Sequence, residues 1–185
     1  MELEKILKER RSYRSLETAP VTDALIGELA QAAALMPSCF NNQPWRFVFA
    51  RDPQVLRKLH GALSKGNEWA QAAPLIVAVF GRKDSDCVLK DREYYQFDIG
   101  LGTAGLVLRA WDLGLMAHPI AGYDPAAAAA ILGIPAEFRV ITLLIVAKKS
   151  AVPNPLMTEK QASAEAERPP RLAFEKFAWI DSYKG

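Results

Sequence analysis

The run from Asp91 to Leu113 constrains the fold more than any other part of the chain. Its spacing predicts the longest helix. The middle, Ile99 to Ala110, is apolar on nearly all sides, so this helix is expected to be buried all round. Gly102 and Gly105 lie on it at i and i+3. Glycine costs about 1 kcal/mol in a helix interior, so the two glycines point to another backbone approaching closely. A second copy of the chain in a dimer would supply that backbone; the alternative is a core helix of a monomer with two tolerated glycines.

The other elements have to be arranged around that helix. Leu75–Phe80 is a continuous apolar run and Phe138–Ala147 a strongly apolar stretch, and both predict strands, the first of them buried. Trp45–Ala50 predicts a third strand, and Leu115–Ile120 a short extended piece. Helices are predicted over Leu3–Glu9, from Asp23 behind a Thr22 cap to about Met36, and from Pro53 behind an Asp52 cap to about Leu63. An alanine-rich helix starts at Asp124-Pro125 and stops at Gly133. Helices and strands alternate, which gives a layered α/β or α+β domain.

At 185 residues the chain is expected to be one domain, 1–185, with a real core. A net charge of +2 is too small to argue for nucleic acid. The longest candidate membrane span, Ile99 to Met116, is interrupted by Arg109 and Asp112. The N-terminus is charged at once, so no signal peptide is expected. Cys39 and Cys87 suggest neither a disulfide framework nor metal spacing, and read as free thiols in a reducing cytoplasm. Residues 150–170 contain four prolines and no periodicity, so 150–185 is expected to be an extended arm. The arm ends in Phe174, Phe177 and Trp179, which need a surface to bury them; a partner subunit would provide one.

Two segments carry groups suited to binding. In Arg10-Arg11-Ser12-Tyr13-Arg14 three guanidiniums fall within five residues. They repel each other unless an anion or acidic side chains lie between them, and guanidinium binds phosphate in bidentate fashion. The alternative is a solvated basic turn. In Pro37-Ser38-Cys39-Phe40-Asn41-Asn42-Gln43-Pro44 two prolines clamp a run of hydroxyl and amide side chains between a helix end and a strand start. Such groups suit the edge of a flat heteroaromatic ring. They also suit a polar turn that satisfies its own backbone, and both readings stand at this point.

With these segments in place, the chain resembles the nitroreductase family of FMN-dependent oxidoreductases over nearly its whole length. Arg10-Arg11-Ser12-Tyr13-Arg14 is similar to the family's opening Arg-x-Ser-x-Arg/Lys. Pro37-Ser38, Asn41 and Gln43-Pro44-Trp45 are similar to its Pro-Ser-x-x-Asn-x-Gln-Pro-Trp loop. Pro119-Ile120-Ala121-Gly122 resembles the segment passing the reactive edge of the flavin, and Arg171-Leu172-Ala173 the late Arg-Leu-Pro. The resemblance implies an α+β, three-layer fold: a central, mostly antiparallel sheet flanked by helices, with the C-terminal arm exchanged across a homodimer. It implies FMN sites in the dimer interface. Arg10, Ser12 and Arg171, beside Arg11, would hold the phosphate. Arg14 would lie at the pyrimidine edge, and Asn67 roughly at the flavin edge. Pro37, Ser38, Cys39 and Asn41 would reach the flavin from the other subunit. Pro119, Ile120 and the backbone of Ala121 and Gly122 would face N5. The implied activity is ping-pong hydride transfer from NAD(P)H to a small electron-poor acceptor, a nitroaromatic or quinone. Alternatives are a flavin-binding protein without turnover, a dehydrogenase acting on another substrate and a cofactor-free dimeric scaffold. Ala121 stands where many members have an acidic residue, and Gly81–Gln96 is short for the stretch that covers the substrate pocket in some of them.

Overall fold

The structure is a computed structural model and describes residues 2–185. In chain order the elements are α1 (Leu3–Glu9), β1 (Leu16–Glu17), α2 (Asp23–Ala34), β2 (Arg46–Ala50), α3 (Pro53–His60), β3 (Leu75–Gly81), β4 (Val88–Leu89), β5 (Arg92–Glu93), α4 (Tyr95–Asp112), β6 (Met116–Ile120), α5 (Pro125–Leu132), β7 (Arg139–Lys149) and α6 (Glu159–Ala166).

β7 is the spine of the main sheet. β3 pairs along one of its edges, and β2 pairs with β3 beyond. The other edge of β7 is shared: β6 covers 143–147 and β1 covers 148–149. All these pairings are antiparallel. Alternation along the strands sends side chains into two cores. Leu75, Val77, Val79, Leu144 and Val146 point to one side, where Leu29 and Ala33 of α2 and Ile99, Leu106 and Ala110 of α4 cover them. Ile76, Ala78, Leu143 and Ile145 point to the other, under Leu56 and Leu59 of α3, Trp69, and Ala128 of α5. Both faces are therefore covered, which is why β3 and the 143–147 stretch of β7 read as apolar runs instead of alternating ones. The expected α+β arrangement of a central antiparallel sheet between helical layers is what is found.

α4 departs from expectation at both its start and its outer face. It begins at Tyr95, because 88–93 form the small β4–β5 hairpin. It is not buried all round. Tyr95, Asp98, Ile99, Gly102, Gly105 and Leu106 are buried, whereas Phe97, Gly100 and Ala104 are exposed. One sheet and one neighbouring helix can cover only one side of a helix. The close backbone approach is real, and α2 of the same chain supplies it: a Cβ on Gly105 would lie 2.6 Å from the carbonyl oxygen of Ala32. A Cβ on Gly102 would lie 2.7 Å from the ring of Trp45.

The segment 150–185 is only partly extended. Residues 159–166 form α6, started by a capping box in which Thr158 Oγ1 accepts from the Gln161 amide and Gln161 reaches back to Thr158 N. Each such cap contributes about 1 kcal/mol. The rest of the arm leaves Leu172, Phe174, Phe177, Ile180 and Tyr183 exposed.

Candidate functional site

The basic segment after α1 does not turn out into solvent. It runs beside α6 and the residues that follow it. Arg11 donates to the carbonyls of Ala164 (3.1 Å) and Glu167 (2.9 Å), and Arg168 donates to the carbonyl of Arg10 (3.1 Å). The Glu165 carboxylate accepts from the amide of Arg14, and from the amide (3.1 Å) and hydroxyl of Ser15. Between the two segments lies a cleft of about 230 Å³ lined by Arg10, Arg11, Ser12, Arg14, Ala164, Arg168, Pro169 and Arg171. Five of its eight lining residues are arginines. Arg11 and Arg168 are partly committed to backbone carbonyls. Among the described residues, no carboxylate forms an ion pair with Arg10, Arg14 or Arg171, and Arg14 Nε is buried without a hydrogen-bond partner. Burial, and then the charges of Arg168 and Arg171, lower the pKa of Arg10. Converging guanidiniums with unmet donors are a receptor for a multiply charged anion. Arg168 was not singled out from the sequence, although it stands in the same Arg-Pro-Pro-Arg stretch as Arg171.

Arg14 also leads to the second part of the site. Its guanidinium lies 5.6 Å from the ring centre of Trp69. Trp69 stacks on His118 of β6 at 4.7 Å, and His118 Nδ1 is 3.0 Å from the carbonyl of Tyr13. Burial drives the His118 pKa down to about 4; the Tyr13 carbonyl opposes this and the nearby Arg14 charge adds to it. The imidazole is therefore neutral near pH 7, with its Nδ1 proton assigned to the Tyr13 carbonyl. Asn67 donates to the carbonyl of Gly122 (2.8 Å) and accepts from the Trp69 indole (3.2 Å). A Cβ on Gly122 would fall 2.4 Å from the Asn67 amide, so glycine is what lets the two approach. The expected set Arg10, Arg11, Ser12, Arg14, Asn67, Gly122 and Arg171 is thus gathered into one region, with Pro119 and Ala121 exposed beside it and Ile120 buried.

The loop 37–44 stands apart from that region. It shares no hydrogen bond with the arginine cleft among the described residues and does not line it. Ser38 Oγ accepts from the Gln43 amide (2.9 Å), and the Cys39 amide donates to Asp98 Oδ2 (2.6 Å). Phe40, Asn41 and Gln43 all have left-handed φ, of 46°, 59° and 47°. Each costs on the order of 1–3 kcal/mol for a residue other than glycine, so the surroundings must enforce it. Phe40 is 88% exposed. The expectation of free thiols is overturned: Cys39 and Cys87 form a disulfide. Residue spacing gave no sign of it, because 48 positions separate the two. Asp98 is 2% exposed. Burial raises its pKa and neighbouring Asp86 adds to the rise, against the Cys39 hydrogen bond. Neither carboxylate was picked out in advance.

The profile of the nitroreductase family matches residues 7–148. The chain is 28% identical over 169 residues to an NADH dehydrogenase of Thermus thermophilus, covering 74% of this chain and 81% of that one. Its fold superposes on an oxidoreductase containing FMN with a TM-score of 0.85 at 24% identity, over 100% of this chain and 94% of the other. A protein from Exiguobacterium sibiricum, crystallised in complex with FMN, gives a TM-score of 0.80 at 22% identity, over 98% of each chain.

Proposed function

The chain belongs to the nitroreductase family, and from that premise we propose that it is an FMN-dependent oxidoreductase drawing electrons from NAD(P)H. The observation that carries the reading is the arginine cleft, whose guanidiniums form no ion pair with a carboxylate among the described residues, although the Glu165 charge acts on Arg14. That donor set fits a phosphate monoester dianion. Arg10, Ser12 and Arg171 would hold the phosphate, with Arg168 as a further guanidinium. Arg14 would lie at the pyrimidine edge, where a fixed cation favours negative charge. Asn67 and the 119–122 backbone would border the ring. When bound, FMN supplies reversible two-electron hydride chemistry, so no side-chain nucleophile is required. Accordingly no side chain is assigned as catalytic. His118, neutral and tied to Tyr13, would position the Arg14–Trp69 wall rather than move protons.

Ser38 and Asn41 lie away from the cleft of their own chain. On this reading they would serve the site of a second copy in a homodimer, whose interface would also cover the exposed aromatic tail. Small electron-poor acceptors such as nitroaromatics or quinones are the proposed substrates. The test is an equilibrium titration with FMN. Wild-type protein is expected to bind one FMN per chain. Arg171→Ala is expected to bind about 10–100-fold more weakly, the loss of one charge-assisted contact. Unchanged affinity would remove Arg171 from the phosphate site.

A further inference from the structure

We propose that Cys39–Cys87 is a thiol–disulfide exchange site at which a dithiol reductant releases the loop 37–44. The disulfide joins the short helical turn Cys39–Asn41 to the segment just before β4. Cys39 is half-buried, next to the exposed Phe40, whereas Cys87 is 9% exposed. Attack therefore falls on Cys39 Sγ. The reductant's first thiolate bonds to Cys39 and expels Cys87 as a thiolate. The Asn42 side-chain amide lies 3.5 Å from Cys87 Sγ and 3.1 Å from Asp86 Oδ1, so a donor already faces the leaving sulfur. The reductant's second thiolate then displaces Cys39 and closes the reductant's own disulfide. Two electrons and two protons pass to the protein, and two cysteine thiols result. A carboxylate oxygen of Asp86 and both sulfurs lie within 4.8 Å of one another. A ring-closing dithiol is the fitting reductant, because its second thiol resolves the mixed disulfide intramolecularly.

Opening the disulfide removes the covalent restraint on a loop with three left-handed residues that are not glycine. Such conformations persist only where the surroundings over-determine them. Hydrogen bonds then hold it, among them Cys39 N to Asp98, Gln43 N to Ser38 Oγ, Asn42 to Asp86 and the Arg46 guanidinium to the Gln43 carbonyl. The loop loosens, and with it Ser38 and Asn41. That last consequence rests on the proposed function, since it makes FMN affinity follow the redox state of the disulfide.

The test uses the full chain without reductant and after dithiothreitol, with hydrogen exchange of peptides spanning 37–47 followed by mass spectrometry. Exchange there is expected to quicken about tenfold or more on reduction, and to recover on reoxidation. The double variant Cys39→Ser/Cys87→Ser is expected to exchange like the reduced protein in both buffers. Two titratable thiols in the untreated protein, or equal exchange in the two states, would overturn the proposal. FMN titration of the same samples separates the two claims. Weaker binding on reduction supports the link. Equal binding in both states overturns the link to the flavin. No binding in either state overturns the flavin reading, and the exchange data still decide the disulfide.

Discussion

Replacing Gly105 by alanine tests the packing of α4 against α2 with a predictable sign. In isolation the change favours the helix by about 1 kcal/mol, because alanine orders at lower entropic cost than glycine. Here the new methyl would meet the Ala32 carbonyl oxygen at 2.6 Å and Met36 Cγ at 2.7 Å. Met36 can move, but Ala32 O is backbone, so α2 as a whole must shift away from α4. Overpacking of this kind costs about 1–3 kcal/mol. The net expectation is a loss of up to about 2 kcal/mol, or a fall in Tm of up to about 8 °C for a chain of this size. Gly27 on α2 is the control, since a Cβ there meets nothing within 4 Å. Gly27→Ala is expected to raise Tm by about 2–4 °C. Both are read by thermal unfolding followed by circular dichroism at fixed protein concentration. A Gly105→Ala protein stabilised as much as Gly27→Ala would show that the two helices are not held at this distance.

Other perturbations probe the site and its surroundings. His118 is held neutral with a pKa of about 4 against 6.5 unfolded. Its contribution is fully present above pH 6.5 and is lost as the pH falls from there towards 4, by about 3 kcal/mol; in urea unfolding at pH 7 and 5, His118→Gln should flatten that slope, and an equal slope refutes the burial argument. Glu165→Ala removes the acceptor for the Arg14 and Ser15 amides, which should cost about 1.5–3 kcal/mol locally and speed limited proteolysis within 159–167; an unchanged digest would count against α6 being tied to the basic segment. Deleting 172–185 should weaken the proposed homodimer in light scattering, and a dimer left intact by the deletion would refute the embracing arm.

The parts of the fold legible in the sequence are those where one local signal dominates. The apolar stretches of β3 and β7 read as strands, β3 as a buried one, and Thr22, Asp52 and Asp124 mark helix starts that the structure confirms with capping bonds. α6 was not legible: its Glu, Lys, Gln and Ala residues carry little apolar pattern, and a capping box and Glu165 fix it. The start of α4 was placed too early because the four-residue ladder of the β4–β5 hairpin is too short to carry a period. In the site, the Arg10–Arg14 cluster declared itself by charge, and Arg171 by the resemblance of Arg171-Leu172-Ala173 to the family's late Arg-Leu-Pro. Their meeting in one cleft, and the arrival of Arg168, depend on how α6 packs. The disulfide was invisible because 48 positions separate the two cysteines and only tertiary packing, such as the Asp98 contact to Cys39, brings them together.

The most direct test of the central claim is the visible absorption spectrum of FMN-loaded protein, taken without oxygen before and after NADH or NADPH is added. The account predicts flavin bands on the purified or reconstituted protein that bleach with one of these donors. A protein that takes up no FMN, or flavin bands that persist with both donors, would contradict it.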